Sequence, residues 1–114
     1  MKTVVIGVSS RQEANARLMH ALATGKPQNA YRSFESTADL WRTISPNRWD
    51  VLKEMTGAGA MSLRELARRV ERDVKSVHAD VHALLNAGLL DKTEDGKIIF
   101  PFDAVHVDFM LKAA

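Results

Sequence analysis

The stretch from Ser62 to Pro101 constrains this chain most, because it strings start and stop signals between two different apolar periods. Ser62 followed by Glu65 reads as a capping box, with Met61 placed to staple against Leu66 one turn in. Leu63, Leu66, Ala67 and Val70 recur at i, i+3, i+4 and i+7, which makes one apolar helix face. Arg64, Arg68 and Arg69 fall off that face. Glu71-Arg72 is too short and too polar for anything but a turn. Asp73 then caps a second helix.

In that second helix Val74, Val77, Val81, Leu84 and Leu85 share the inward face. Lys75, Ala79, His82 and Asn86 point the other way, with Ser76 and His78 flanking them. Gly88 is expected to close the helix in a left-handed conformation. Leu89 to Thr93 and Lys97 to Phe100 then read as short strands, joined by a two-residue turn at Asp95-Gly96. Lys92 and Lys97 flank that turn.

Two helices, a tight turn and a hairpin in this order resemble the winged helix-turn-helix regulators of prokaryotes, particularly the multiple-antibiotic-resistance-regulator type. The likeness is carried by Leu63, Leu66-Ala67, Val70, Val74, Val77, Leu84-Leu85, Ala87-Gly88-Leu89-Leu90 and Asp95-Gly96, and it spans roughly residues 46 to 101. The run Ala87-Gly88-Leu89-Leu90, entering a wing from a long helix, is its most specific part. Glu71 departs from the pattern, since many relatives place glycine in the turn. A non-glycine residue held left-handed there costs about 1 kcal/mol.

The resemblance implies double-stranded DNA as the partner. The first two turns of the second helix would enter the major groove, so the base-reading candidates are Lys75, Ser76, His78, Ala79 and His82. Ser62, Arg64, Arg68, Arg69, Arg72, Lys92 and Lys97 complete the expected contact set, the cations meeting phosphates. A wider likeness takes in almost the whole chain, through Phe34-Glu35-Ser36, Leu40-Trp41-Arg42, Ser45-Pro46-Asn47-Arg48 and Pro101-Phe102-Asp103. It is to small predicted prokaryotic regulators, some of which resemble antitoxins encoded beside toxin genes. An autoregulating antitoxin, with a toxin protein as second partner, is what that likeness implies.

The flanking sequence predicts further elements. Val4, Ile6 and Val8 alternate with Thr3, Val5 and Gly7, as in a strand covered on both faces. Ser10 and Glu13 form a second capping box, and Ala14, Leu18, Ala21 and Leu22 make a helical stripe that stops before Gly25-Lys26-Pro27. Residues 25–30 read as a loop, and Tyr31 to Phe34 as a short strand. Ser36 caps a helix with Leu40, Trp41 and Ile44. Ser45 and Pro46 open the next helix, in which Trp49, Leu52 and Met55 are expected to face inward before Gly57-Ala58-Gly59 breaks it. Trp41 and Trp49 read as core or interface anchors rather than base-stacking residues. Val105, Val107, Phe109 and Leu111 alternate with His106, Asp108 and Met110 in a terminal strand that needs a partner edge. The N-terminal strand of the same chain or of a second one is the expected partner, and a homodimer would suit a two-fold operator.

The expected fold class is α+β, mostly α. Residues 1–44 form a strand–helix region for dimerisation or partner binding, 45–101 the winged motif, and 102–114 a C-terminal strand. Net charge is only +2, so a DNA-binding reading depends on where the cations lie. The chain has no cysteine, which excludes disulfides and thiolate metal sites and suits a cytoplasmic protein. No apolar run approaches the ~18 residues that span a membrane, so no membrane partner is expected. His78 and His82 have chelating spacing but no evident third ligand, and His20 and His106 are isolated. No phosphate loop, nucleophile elbow or metal cluster is present, so neither catalysis nor a cofactor is expected. The contrasting reading is a winged-helix module that binds protein rather than specific DNA.

Overall fold

The computed structural model describes residues 1–25 and 30–111, which form an α+β fold. The elements run β1 (Thr3–Val8), α1 (Arg11–Thr24), β2 (Ala30–Phe34), α2 (Thr37–Thr43), α3 (Pro46–Met55), α4 (Leu63–Arg69), α5 (Val74–Asn86), β3 (Asp91–Lys92), β4 (Ile98–Ile99) and β5 (Ala104–Asp108). The expected loop over 25–30 lies partly outside the described residues. Gly25 is left-handed, with φ of 64°, and closes α1 as expected.

β1 is the middle strand of a parallel sheet in the order β2-β1-β5. Its alternation therefore works on both faces. Val4 and Ile6 pair in register with Val105 and Val107 and are fully buried on the side of the helices that follow. Val5 and Gly7 face α1, which crosses the other side. The partner of β1 at this edge is thus β5 of its own chain. A Cβ on Gly7 would meet the Tyr31 hydroxyl and stand 2.8 Å from the Asp108 carbonyl oxygen, so only glycine fits between the two outer strands.

Caps set the helix starts. The hydroxyls of Ser10, Ser36, Ser45 and Ser62 accept from the N–H groups of Glu13, Asp39, Arg48 and Glu65 at 3.1, 3.1, 3.3 and 3.1 Å. The two expected capping boxes are half-formed. Glu13 bonds the Ser10 hydroxyl, and Glu65 turns away to Arg68 and Arg69. Neither reaches back to the cap N–H.

Packing leaves one apolar stripe open and corrects three expectations. The α1 stripe is not buried: no residue of that helix is, and Leu22 remains 70% exposed. In α3 the inward residues are Val51, Leu52 and Met55, while Trp49 is 40% exposed. Val74 sits in the first turn of α5 and is partly open, leaving Val77, Val81 and Leu84 to enter the core. The terminal strand stops at Asp108, the partner of Gly7 and the last residue of β5 in register with β1. One buried cluster runs from Val4 and Ile6 through Leu40, Leu52 and Leu66 to Leu84 and Phe100.

Candidate nucleic-acid interface

The α4–α5 turn ends one helix and aims the next. Val70 is the C-cap of α4 and Glu71 follows in the left-handed region at φ 56°, alone among the described non-glycine residues. The Glu71 N–H reaches the Arg68 carbonyl at 3.3 Å and the Arg72 N–H reaches Ala67 at 3.1 Å. That is a Schellman closure with glutamate where glycine is ordinarily found. The end of α5 repeats it with the expected residue. Gly88 has φ 78°, and the N–H groups of Gly88 and Leu89 reach Leu85 and Leu84 at 3.1 and 3.0 Å.

Asp73 caps α5, accepting from the Ser76 N–H and hydroxyl at 2.8 Å each. The Ser76 N–H first, then its hydroxyl, hold the Asp73 carboxyl below the usual aspartate range. Ser76 is therefore engaged at the helix head, although its side chain remains exposed. Lys75, His78, Ala79 and His82 are exposed with it on the outward face of α5. His78 and His82 stand side by side, Nε2 to Nε2 at 3.0 Å. No group of three or more metal-ligating side chains occurs among the described residues.

The arginines divide into two kinds. Arg64 is exposed and engages no carboxylate among the described residues. Arg68 and Arg69 are exposed but hold Glu65, at 2.6 and 3.0 Å. Arg68 first and Arg69 second keep the Glu65 carboxyl below its usual range, and Glu65 raises Arg68 in turn. Surface pairs of this sort contribute little to stability. Ser62, on the same helix, spends its hydroxyl on the cap.

Arg72 corrects the expectation. It does not reach outward but bonds Asp80 at 2.7 Å, with only 23% of its side chain exposed. Arg48 binds the other oxygen of Asp80 at 3.0 Å and donates to the carbonyls of Thr43 and Arg42 at 3.1 and 3.3 Å. Asp80 thus ties α5 to the preceding turn, to α3 and to the end of α2. It lies in the buried arc Val77, Asp80, Val81, Leu84. The spacing i, i+3, i+4, i+7 placed a carboxylate on the core face, which was the available signal for a buried charge needing partners.

The hairpin is shorter than its sequence suggests. β3 and β4 pair over two residues each, and Met61 joins them through reciprocal 2.9 Å bonds with Ile98. The turn is not the expected two-residue Asp95-Gly96. Gly96 N–H bonds Thr93 at 3.1 Å and Thr93 N–H bonds Lys97 at 2.9 Å, with Gly96 at φ 83°. A three-residue loop with a left-handed glycine results. The Thr93 hydroxyl donates closely to Asp95 and, before Lys97, is the main reason that carboxyl lies below its usual range. Lys92 and Lys97 remain exposed.

Helix and hairpin then meet. A cleft of about 150 Å3 is bordered by His78 and His82 of α5 and by Lys92 and Gly96 of the hairpin, over a floor that includes Leu63 and Ile98. Of the expected contact residues the structure brings His78, His82 and Lys92 to this cleft; Lys75, Ser76 and Ala79 are exposed on α5 and Lys97 is exposed on the hairpin, while Arg72 is turned inward. None of the described helices is long and apolar enough to cross a membrane. A family model described as HVO_A0114 matches residues 43–107, more than half of the chain. No curated protein and no solved structure matches it.

Proposed function

The chain belongs to the HVO_A0114 family, and we propose that it is a sequence-specific DNA-binding regulator of winged helix-turn-helix form, acting as a repressor. The cleft shared by α5 and the hairpin carries this reading. It supports a recognition helix with a wing beside it, because one surface can then enter a groove while the other lies along the backbone. Lys75 and Ser76 in the first turn of α5 reach base edges, with His78, Ala79 and His82 one turn deeper. Arg64, Lys92 and Lys97 neutralise phosphates, joined by Arg68 and Arg69 when phosphate displaces Glu65. Arg72 acts from inside: with Arg48 it holds Asp80 and so fixes how α5 leans.

Single alanine variants test this division. Lys92→Ala or Lys97→Ala should weaken binding to every sequence and lower the salt slope by about 1. Lys75→Ala should cost about 1–3 kcal/mol on the preferred sequence and relax the preference. Equal losses on all sequences for every variant would remove the recognition role of α5.

The antitoxin role belongs to the same proposal, with the open apolar face of α1, carrying Leu18, Met19 and Leu22, as the surface for a toxin protein. A second reading, a module that binds protein alone, is favoured by the paired state of Arg68 and Arg69 and by the low net charge. It predicts a protein affinity untouched by Lys75→Ala and His82→Ala.

A further inference from the structure

β5 is the outer strand of the sheet, so one side of it presents N–H and C=O groups that no neighbouring strand takes up. Proteins usually blunt such an edge with lysine or proline, and residues 104–111, AVHVDFML, contain neither. The apolar alternation also outruns the strand. Val105 and Val107 lie over Val4 and Ile6, while Phe109 and Leu111 carry the same parity onward at 38% and 96% exposure. Alongside lies an apolar groove of about 520 Å3, lined by Leu40, Trp41, Ile44, Pro46, Trp49 and Val107. Phe109 and Trp41 pack nearly perpendicular, with ring centres 5.7 Å apart.

We infer that a second copy of this chain covers this edge, pairing β5 with β5 antiparallel about a two-fold axis through Val107 and perpendicular to the sheet. The polar pattern selects the copy and the register, because an imidazole N–H can donate to a carboxylate. His106 and Asp108 are both exposed on the face opposite the core. With Val107 on the axis, His106 of each copy faces Asp108 of the other, twice per interface. Centring on His106 or Asp108 instead sets like residue against like across the axis. On the core face the Val107 register puts Phe109 of one copy opposite Val105 of the other, where Trp49 and Lys53 border a groove with Val105. The pairing extends two three-stranded sheets into one of six strands and covers the aromatic groove from both sides. It uses no residue assigned to DNA, so it stands or falls independently of that reading.

The full chain has no cysteine, which makes single cysteines informative. Directly opposed residues of antiparallel strands have Cα atoms about 4.5 or 5.5 Å apart, inside disulfide reach in either case. Val107→Cys should therefore give disulfide dimers on mild oxidation. Val105→Cys alone should not, and Val105→Cys mixed with Phe109→Cys should cross-link between the two variants. In sedimentation His106→Asp should weaken the dimer about tenfold by opposing like charges twice, and adding Asp108→His should restore it to within about threefold. Circular dichroism confirms that each variant is folded. A monomer at about 50 μM, a dimer that Val107→Cys does not cross-link, or a dimer lost with Leu18→Ser and Leu22→Ser but indifferent to His106→Asp would each overturn the proposal.

Discussion

The helices over residues 46–86 and the segments that flank them bury their apolar residues very differently. In α3, α4 and α5 the inward positions Val51, Leu52, Met55, Leu66, Val77 and Leu84 all reach the core. In α1, a longer helix with its own apolar stripe, no residue does. Trp41 of α2 and Phe109 beyond β5 are likewise left open. Both regions obey their local rules: caps hold, and the strands pair in register. The difference lies in what each has to pack against. Three short helices enclose one another, whereas a three-stranded parallel sheet with one helix across a face is too small to cover its own rims. An apolar stripe therefore predicts a helix in both regions and burial in only one.

The sharpest way to break this comparison is to make one change in both places. Leu84→Ala should cost about 3–4 kcal/mol in denaturant unfolding, through lost transfer energy and a residual cavity. Leu22→Ala should stay within about 0.5 kcal/mol. Similar losses at the two sites would mean that α1 is packed in solution. Next in size is Asp80→Ala, expected to cost about 3 kcal/mol, near the lower end for a broken buried pair because Arg48 and Arg72 keep 25% and 23% exposure. The same variant should weaken DNA binding at temperatures where it is folded, since α5 loses its tie to α3. Gly7→Ala attacks the sheet and should cost about 2 kcal/mol, because the Asp108 carbonyl cannot move without dragging β5. Glu71→Gly is the smallest and has the opposite sign, a gain of about 0.5 kcal/mol as left-handed strain is traded against unfolded-chain entropy. A loss there would mean that the Glu71 side chain does something the turn geometry does not display.

Much of the fold was legible because its signals are local. The caps Ser10, Ser36, Ser45, Ser62 and Asp73 declare helix starts, and Gly88 declares an end, through bonds within a few residues. What was not legible depends on residues far apart in the chain. Asp80 needs Arg48, 32 positions away, before its place in the core makes sense. Arg72 reads as one more surface cation until that carboxylate claims it. The extent of β5 depends on its pairing with β1, some 100 residues earlier. The hairpin is an intermediate case: Gly96 marks the turn, but whether two or three residues form it depends on how the Thr93 hydroxyl is used.

Binding of the purified chain to its own upstream DNA, against scrambled DNA at ~150 mM salt, tests the proposed recognition role of α5. Salt is fixed because non-specific attraction varies steeply with it. The proposed recognition role of α5 and the hairpin predicts a preference of about a thousandfold or more. Equal and weak binding to both sequences would contradict it and leave the exposed face of α5 without a nucleic-acid role.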